Sequence, residues 1–200
     1  MPTAKFSDFR LNREPAWREM ISKSDTSVPS QWRHWLSDTG SLTQRLIDAC
    51  DGKFSVQLLR QNMDTPRLSE CRALRLPQRR LALIREVVLM GGGMPWVYAR
   101  SIIPISTLTG RLRSLRHLDN QPLGALLFND PTMRRESVEI ACHTNANAQM
   151  PVALREIQSP MWGRRSVFRL DNKPMLVSEI FLPDFKPYNQ SLRFGFSRTI

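Results

Sequence analysis

Two apolar runs of strand length, LALIREVVLM (81–90) and MPWVYARSII (94–103), stand on either side of Gly91-Gly92-Gly93. No other feature constrains the fold as strongly. Glycine supplies the positive φ that a tight hairpin connection needs, so the pair predicts an antiparallel β-hairpin. Side chains alternate between faces along a strand. In the first run Leu81, Leu83, Arg85, Val87 and Leu89 share one face, while Ala82, Ile84, Glu86, Val88 and Met90 share the other. Both faces are apolar, so the strand must be covered on both sides, with one charge on each. Arg85 and Glu86 point in opposite directions and do not readily neutralise each other. An unpaired buried charge is costly, so Arg85 needs a partner from elsewhere.

The run KPMLVSEIFLP (173–183) offers one. Met175, Val177, Glu179 and Phe181 share a face, and Leu176, Ser178, Ile180 and Leu182 share the other. Glu179 is again a lone charge in an apolar row. Two explanations fit such a pair. One is a structural ion pair inside the core. The other is a closed pocket in which Arg85 binds a carboxylate and Glu179 handles a hydroxyl or a proton. The planar guanidinium fork matches a carboxylate bidentately, and a desolvated glutamate suits the second role. Glu86 is a further pocket candidate if the covered faces are reversed.

The remaining elements follow from pattern. Residues 1–30 form a polar N-terminal segment, expected to dock loosely. Trp32, Trp35 and Leu36 have helical spacing, and a second helix with Leu42, Leu46 and Ile47 follows the break at Asp38–Gly40, with Ser41 as its cap. FSVQLLRQ (54–61) alternates like a strand. Residues 62–79, with Pro66 and Pro77, read as an irregular connection with room for one strand. STLTGRLRSLRHL (106–118) predicts a helix weakened by Gly110, and QPLGALLFN (121–129) a shorter one entered at Pro122. ESVEIAC (136–142) alternates, residues 143–160 have the composition of an inserted loop, and RRSVFRL (164–170) forms a hairpin with 173–183 around Asp171–Asn172. The paired Arg164–Arg165 are expected to be structural or solvated. Residues 184–200 are a C-terminal extension. Strands in hairpin order with helices at the start and middle predict a single α+β domain at 31–183, an antiparallel sheet of roughly six strands with helices packed on it.

Charge narrows the function. The formal net charge is +11, with a pI near 10.7. The cations are spread along the chain, without a basic arm or a helix-turn-helix pattern, so specific nucleic-acid binding is not expected. A positive field also speeds the encounter with a small dicarboxylate. Three widely spaced cysteines suit a reducing compartment, and three scattered histidines form no metal motif. There is no apolar run of the roughly 18 residues that a membrane span requires, nor a secretory signal at the N-terminus, so a cytoplasmic protein is expected.

PWVYARSIIPISTLTG (95–110), QPLGALLF (121–128) and MWGRRSVFRLDNKPMLVSEIFLP (161–183) resemble the blocks of the chorismate lyase family in their order. LIREVVL (83–89) and GSLTQRL (40–46) extend the likeness, which covers roughly residues 30–183. The resemblance implies a six-stranded antiparallel sheet and a ligand site sealed beneath helical flaps. It also implies cofactor-free and metal-free elimination of pyruvate from chorismate, giving 4-hydroxybenzoate for ubiquinone synthesis. By position, the carboxylate-binding arginine falls on Arg85, the glutamate near the aromatic hydroxyl on Glu179, and a backbone-contributing leucine on Leu123. Leu42 stands where the family has a methionine lining the ligand, a swap that keeps apolar volume. Arg100 is a weaker candidate for supporting charge. The rival expectation is a non-catalytic aromatic-acid-binding sensor domain of the same fold, although residues 1–30 are too short for the DNA-binding module that usually precedes one.

Overall fold

A computed structural model describes residues 14–20, 25–144, 151, 157 and 159–185. Most of the expected inserted loop at 143–160, and the extension after Phe185, lie outside the described residues. In chain order the elements are β1 (Arg18–Glu19), α1 (Ser30–Leu36), α2 (Leu42–Ala49), β2 (Phe54–Asp64), α3 (Leu68–Leu74), β3 (Ala82–Gly91) and β4 (Met94–Pro104). A 3₁₀ helix (Gly110–His117) follows, then α4 (Leu123–Phe128), β5 (Arg134–Arg135), β6 (Glu139–His143), β7 (Met161–Leu170) and β8 (Lys173–Phe181).

All strands pair antiparallel in one sheet of order β1-β6-β7-β8-β4-β3-β2, with β5 pairing β7. Six of the eight strands are long enough to read from alternation. The other two, β1 and β5, are two-residue bridges at the rim, too short to carry a period.

The turns follow local chemistry. Gly92 and Gly93 have φ of 59° and 83°, as a two-residue hairpin requires. Gly91 belongs to β3 instead, and it is a glycine for another reason: a Cβ there would lie 2.2 Å from the Trp96 ring. Asp171 and Asn172 take positive φ in the β7–β8 turn. The Ser41 hydroxyl accepts from the Gln44 N–H and caps α2, as expected.

The sheet is covered on both faces. On one, α1 and α2 bring Trp35, Leu36, Leu42 and Leu46 against Val87, Leu89, Val97, Ala99 and Phe181. Beside them the 3₁₀ helix and α4 bring Leu112, Leu115, Leu118 and Leu123 onto Leu83, Ile103, Phe168 and Val177. On the other face, Leu74 of α3 packs on Ala82, Ile84, Ile102 and Leu176, and Val88, Tyr98 and Ile180 make a further cluster. Among the described residues no helix is long and apolar enough to cross a membrane.

Two local expectations are corrected. The 106–118 segment is a 3₁₀ helix for most of its length: Leu112, Leu115 and Leu118 recur every third residue, the 3₁₀ period, and all three are buried. The 62–79 segment holds the end of β2 and the helix α3, with no separate strand. α3 is only seven residues long, too short for helical periodicity to show. Its ends are set locally, by Glu70 accepting from the Arg67 N–H at 2.8 Å and by Arg75 in the left-handed region at φ 53°.

Candidate active site

β4 lies between β3 and β8, and this strand order builds the site. Arg85 of β3 pairs with Ser101 of β4, while Ala99 of β4 pairs with Glu179 of β8. Arg85 and Glu179 therefore share a face two strands apart and two residues out of step, a backbone separation of roughly 12 Å. Between them the floor is Ala99 and Ser101, whose side chains are too small to fill the gap. Leu42 and Thr43 of α2 and Leu123 and Leu127 of α4, with Pro122, form the roof. The two helices touch at Gly124, where a Cβ would lie 2.5 Å from Thr43 Oγ1. The enclosed volume is about 40 Å³, room for water but not for a ring. A ring-sized ligand enters only if the roof moves.

Arg85 is 2% exposed. One terminal nitrogen donates to the carbonyls of Asp119 and Gln121, both at 2.8 Å, and its Nε is buried without a partner among the described residues. Burial holds this guanidinium below its ordinary pKa. Glu179 is not the isolated charge that its apolar row suggested. Its Oε2 accepts from Arg164 Nε at 2.7 Å. Arg164 is 1% exposed and also donates to the carbonyls of Trp35 and Asp38, tying the sheet to the α1–α2 connection.

A third arginine reaches the cavity from β5. Arg135 donates from Nε to Ser166 Oγ at 3.0 Å and from a terminal nitrogen to the Asp38 carbonyl, with its guanidinium over the Phe168 ring. Burial and the neighbouring Arg164 charge push it down to about 10. The cavity thus presents three guanidiniums and one carboxylate. Such a set receives anions rather than metal cations.

The expected residues separate cleanly. Arg85, Glu179, Leu42 and Leu123 meet in this cavity. Arg100 does not: it faces the opposite side of the sheet, donating to Glu70 at 2.7 and 3.1 Å and to Glu86 at 2.5 Å. Tyr98 adds a hydrogen bond to Glu86 at 2.9 Å. Burial alone would raise the Glu70 carboxyl, but hydrogen bonding and charge from Arg100 outweigh it and hold it below the usual carboxylate range. A structural ion pair in the core does exist, formed by Arg100 with Glu70 and Glu86 rather than by Arg85 with Glu179.

Arg164 and Arg135 are the residues that sequence reasoning missed. β7 begins at Met161, so Arg164 lies inside the strand, on one face with Ser166 and Phe168; Arg165 points the other way, to Glu139. The sequence reading begins this strand at Arg164, and a charge at a strand's first position reads as solvated; three further residues precede it in β7 and carry it into the covered part of the sheet. The two residues of β5 carry no comparable signal.

The chain is similar to known proteins in sequence and in fold. A family model described as chorismate lyase matches residues 15–191. The chain is 40% identical over 163 residues to a probable chorismate pyruvate-lyase of Photobacterium profundum, covering 78% of this chain and 81% of the relative. It is 41% identical over 150 residues to one of Methylococcus capsulatus, covering 74% and 93%. Among solved structures, the effector domain of PhnF from Mycobacterium smegmatis superposes with a TM-score of 0.52 at 17% identity, covering 74% of this chain and 91% of that one. The ligand-binding domain of a putative GntR-family transcriptional regulator from Bordetella bronchiseptica gives 0.51 at 18%, covering 70% and 91%. At these identities the structural likeness is one of fold.

Proposed function

The chain belongs to the chorismate lyase family, and on that premise we propose that it removes pyruvate from chorismate and leaves 4-hydroxybenzoate. The observation that carries this reading is the placement of Arg85 and Glu179 at two ends of one closed cavity floored by Ala99 and Ser101. Arg85 binds the ring carboxylate with the donors its backbone contacts leave free. Glu179 accepts a hydrogen bond from the ring hydroxyl and stands beside the carbon that loses its proton.

In the reaction the ring C–O bond to the enolpyruvyl group breaks, and the ring carbon bearing the hydroxyl gives up its proton. The ring becomes aromatic, and the enolpyruvyl group leaves as pyruvate after its methylene gains a proton. Aromatisation drives the step, so no cofactor is required. The protein contributes a dry, shaped site that fixes the reactive conformer and stabilises the departing oxygen. The backbone of Leu123 and the side chain of Leu42 complete the roof over the ring. The 4-hydroxybenzoate supplies ubiquinone synthesis in the cytoplasm.

The test is to mix the purified protein with chorismate, without metal or cofactor, and to follow 4-hydroxybenzoate by chromatography and pyruvate by a coupled assay. Equimolar release of both, lost in Arg85→Ala and Glu179→Ala, is the expected result. Tight binding of 4-hydroxybenzoate without turnover would overturn it in favour of a sensor domain.

A further inference from the structure

The charges around the cavity do not balance. Of its three guanidiniums, Arg164 is neutralised by Glu179. Arg85 and Arg135 have no carboxylate within ion-pair distance among the described residues; their partners are carbonyls and the Ser166 hydroxyl. Keeping two uncompensated guanidiniums in one cavity, Arg85 buried and Arg135 half-buried, is unfavourable unless an anion joins them. Two positive charges in excess match a dianion.

Chorismate is a dianion, with one carboxylate on the ring and another on the ether-linked enolpyruvyl group. If Arg85 takes the first and Glu179 the ring hydroxyl, geometry places the second. The ether stands on the ring carbon next to the one bearing the hydroxyl, so its carboxylate lies toward the Glu179 end. Arg135 stands at that end: it bonds Ser166, one step along β7 from Arg164, on the face that Arg164 shares with Glu179. Its guanidinium lies over the Phe168 ring, 5.1 Å from the centroid, and its second terminal nitrogen has no partner among the described residues.

We propose that Arg135 is the second anion anchor of the site and binds the enolpyruvyl carboxylate of the substrate. This rests on the lyase reading above. Product discrimination follows from it. Once the C–O bond breaks, pyruvate leaves with the carboxylate that Arg135 held, whereas 4-hydroxybenzoate keeps only Arg85 and Glu179. Arg135 therefore acts on substrate and not on retained product.

Arg135→Gln and Arg135→Lys are to be compared with the wild-type full chain in kcat and KM for chorismate and in Kd for 4-hydroxybenzoate. Loss of a charge-assisted pair predicts a fall in kcat/KM of at least about tenfold in Arg135→Gln. The 4-hydroxybenzoate Kd stays within about threefold, and Arg135→Lys recovers part of the loss. An equal fall in 4-hydroxybenzoate affinity would mark Arg135 as structural, and unchanged kcat/KM would remove it from the site; either overturns the proposal.

A second measurement needs neither turnover nor a variant. 3-(Carboxymethoxy)-4-hydroxybenzoate carries a non-cleavable ether carboxylate, and the primary amide of that side chain has nearly the same shape with one charge fewer. The wild-type protein is expected to bind the acid at least about tenfold more tightly than the amide. Equal binding overturns the assignment. Absence of chorismate turnover in the wild type, with the acid still preferred, would count against the lyase reading and not against the Arg135 site.

Discussion

Arg164 of β7 and Glu179 of β8 are direct cross-strand partners, joined by a 2.7 Å hydrogen bond from Nε to Oε2 at the edge of the cavity. The arginine is anchored in turn by two backbone carbonyls, Trp35 in the last turn of α1 and Asp38 in the α1–α2 connection. The carboxylate that the proposed mechanism assigns to the ring hydroxyl is thus held by a buried cation fixed by three hydrogen bonds. In that mechanism Arg164 is a positioning residue.

Arg164→Met should lower stability by about 3 kcal/mol, because removing one member of a buried pair leaves the other, and two carbonyls, without their partner. Turnover of the folded fraction should fall about 100-fold. Residues acting as a unit are non-additive, so the double variant Arg164→Met/Glu179→Gln should be no slower than the worse single variant. Thermal unfolding and steady-state rates check both points; multiplicative losses would show that the two act separately.

Arg100 should behave in the opposite way. Arg100→Met strands Glu70 and Glu86 in the core on the far face of the sheet, with a cost of about 3–5 kcal/mol. In protein that remains folded, KM for chorismate and Kd for 4-hydroxybenzoate should stay within about threefold of wild type, since the change does not reach the cavity. Denaturant titration paired with binding calorimetry distinguishes this from a direct ligand role, which would move Kd as well.

The Gly124–Thr43 contact closes the roof. Gly124→Ala places a Cβ 2.5 Å from Thr43 Oγ1, so α2 and α4 must separate or Thr43 must rotate. Release of 4-hydroxybenzoate in stopped flow should accelerate by about tenfold, and adding Thr43→Ala should reverse most of the change. An unchanged release rate would mean that the roof opens elsewhere.

His143 sets an acid limit on stability. Burial, with the positive charge of Arg67 nearby, pushes its pKa down to about 4 from an ordinary 6.5, and its Nε2 is buried without a partner among the described residues. The unfolded chain binds the proton more readily, so between pH 6.5 and about 4 falling pH favours unfolding. Stability is full above that window and declines through it, by about 3 kcal/mol in total. His143→Gln removes this part of the slope. Unfolding midpoints of the two proteins across pH 4 to 7.5 should therefore converge at the acid end, and parallel curves would refute the assignment.

Alternation alone made the sheet legible. The rows through Arg85, Glu86 and Glu179 marked three strand charges that both-face burial makes costly, and all three prove to be buried or nearly so. Ser41, the Gly92–Gly93 pair and Asp171–Asn172 announced their cap and turns because each acts through bonds within a few residues of itself. The family likeness added roles to Arg85 and Glu179 that periodicity left open.

What the sequence could not determine is which charge meets which. Strand β4 separates β3 from β8, so Arg85 cannot reach Glu179 and is held by carbonyls after the 3₁₀ helix, while Glu179 falls opposite Arg164. Arg100 finds Glu70 on a seven-residue helix too short to announce itself. The cavity exists because β4 sets Ala99 and Ser101 beneath the gap, and because two helices distant in sequence meet at Gly124. Local patterns fix which face a side chain points to, since that depends on the residue's own φ and ψ. Pairing and enclosure depend on strand order and register, which only the packing of distant segments decides.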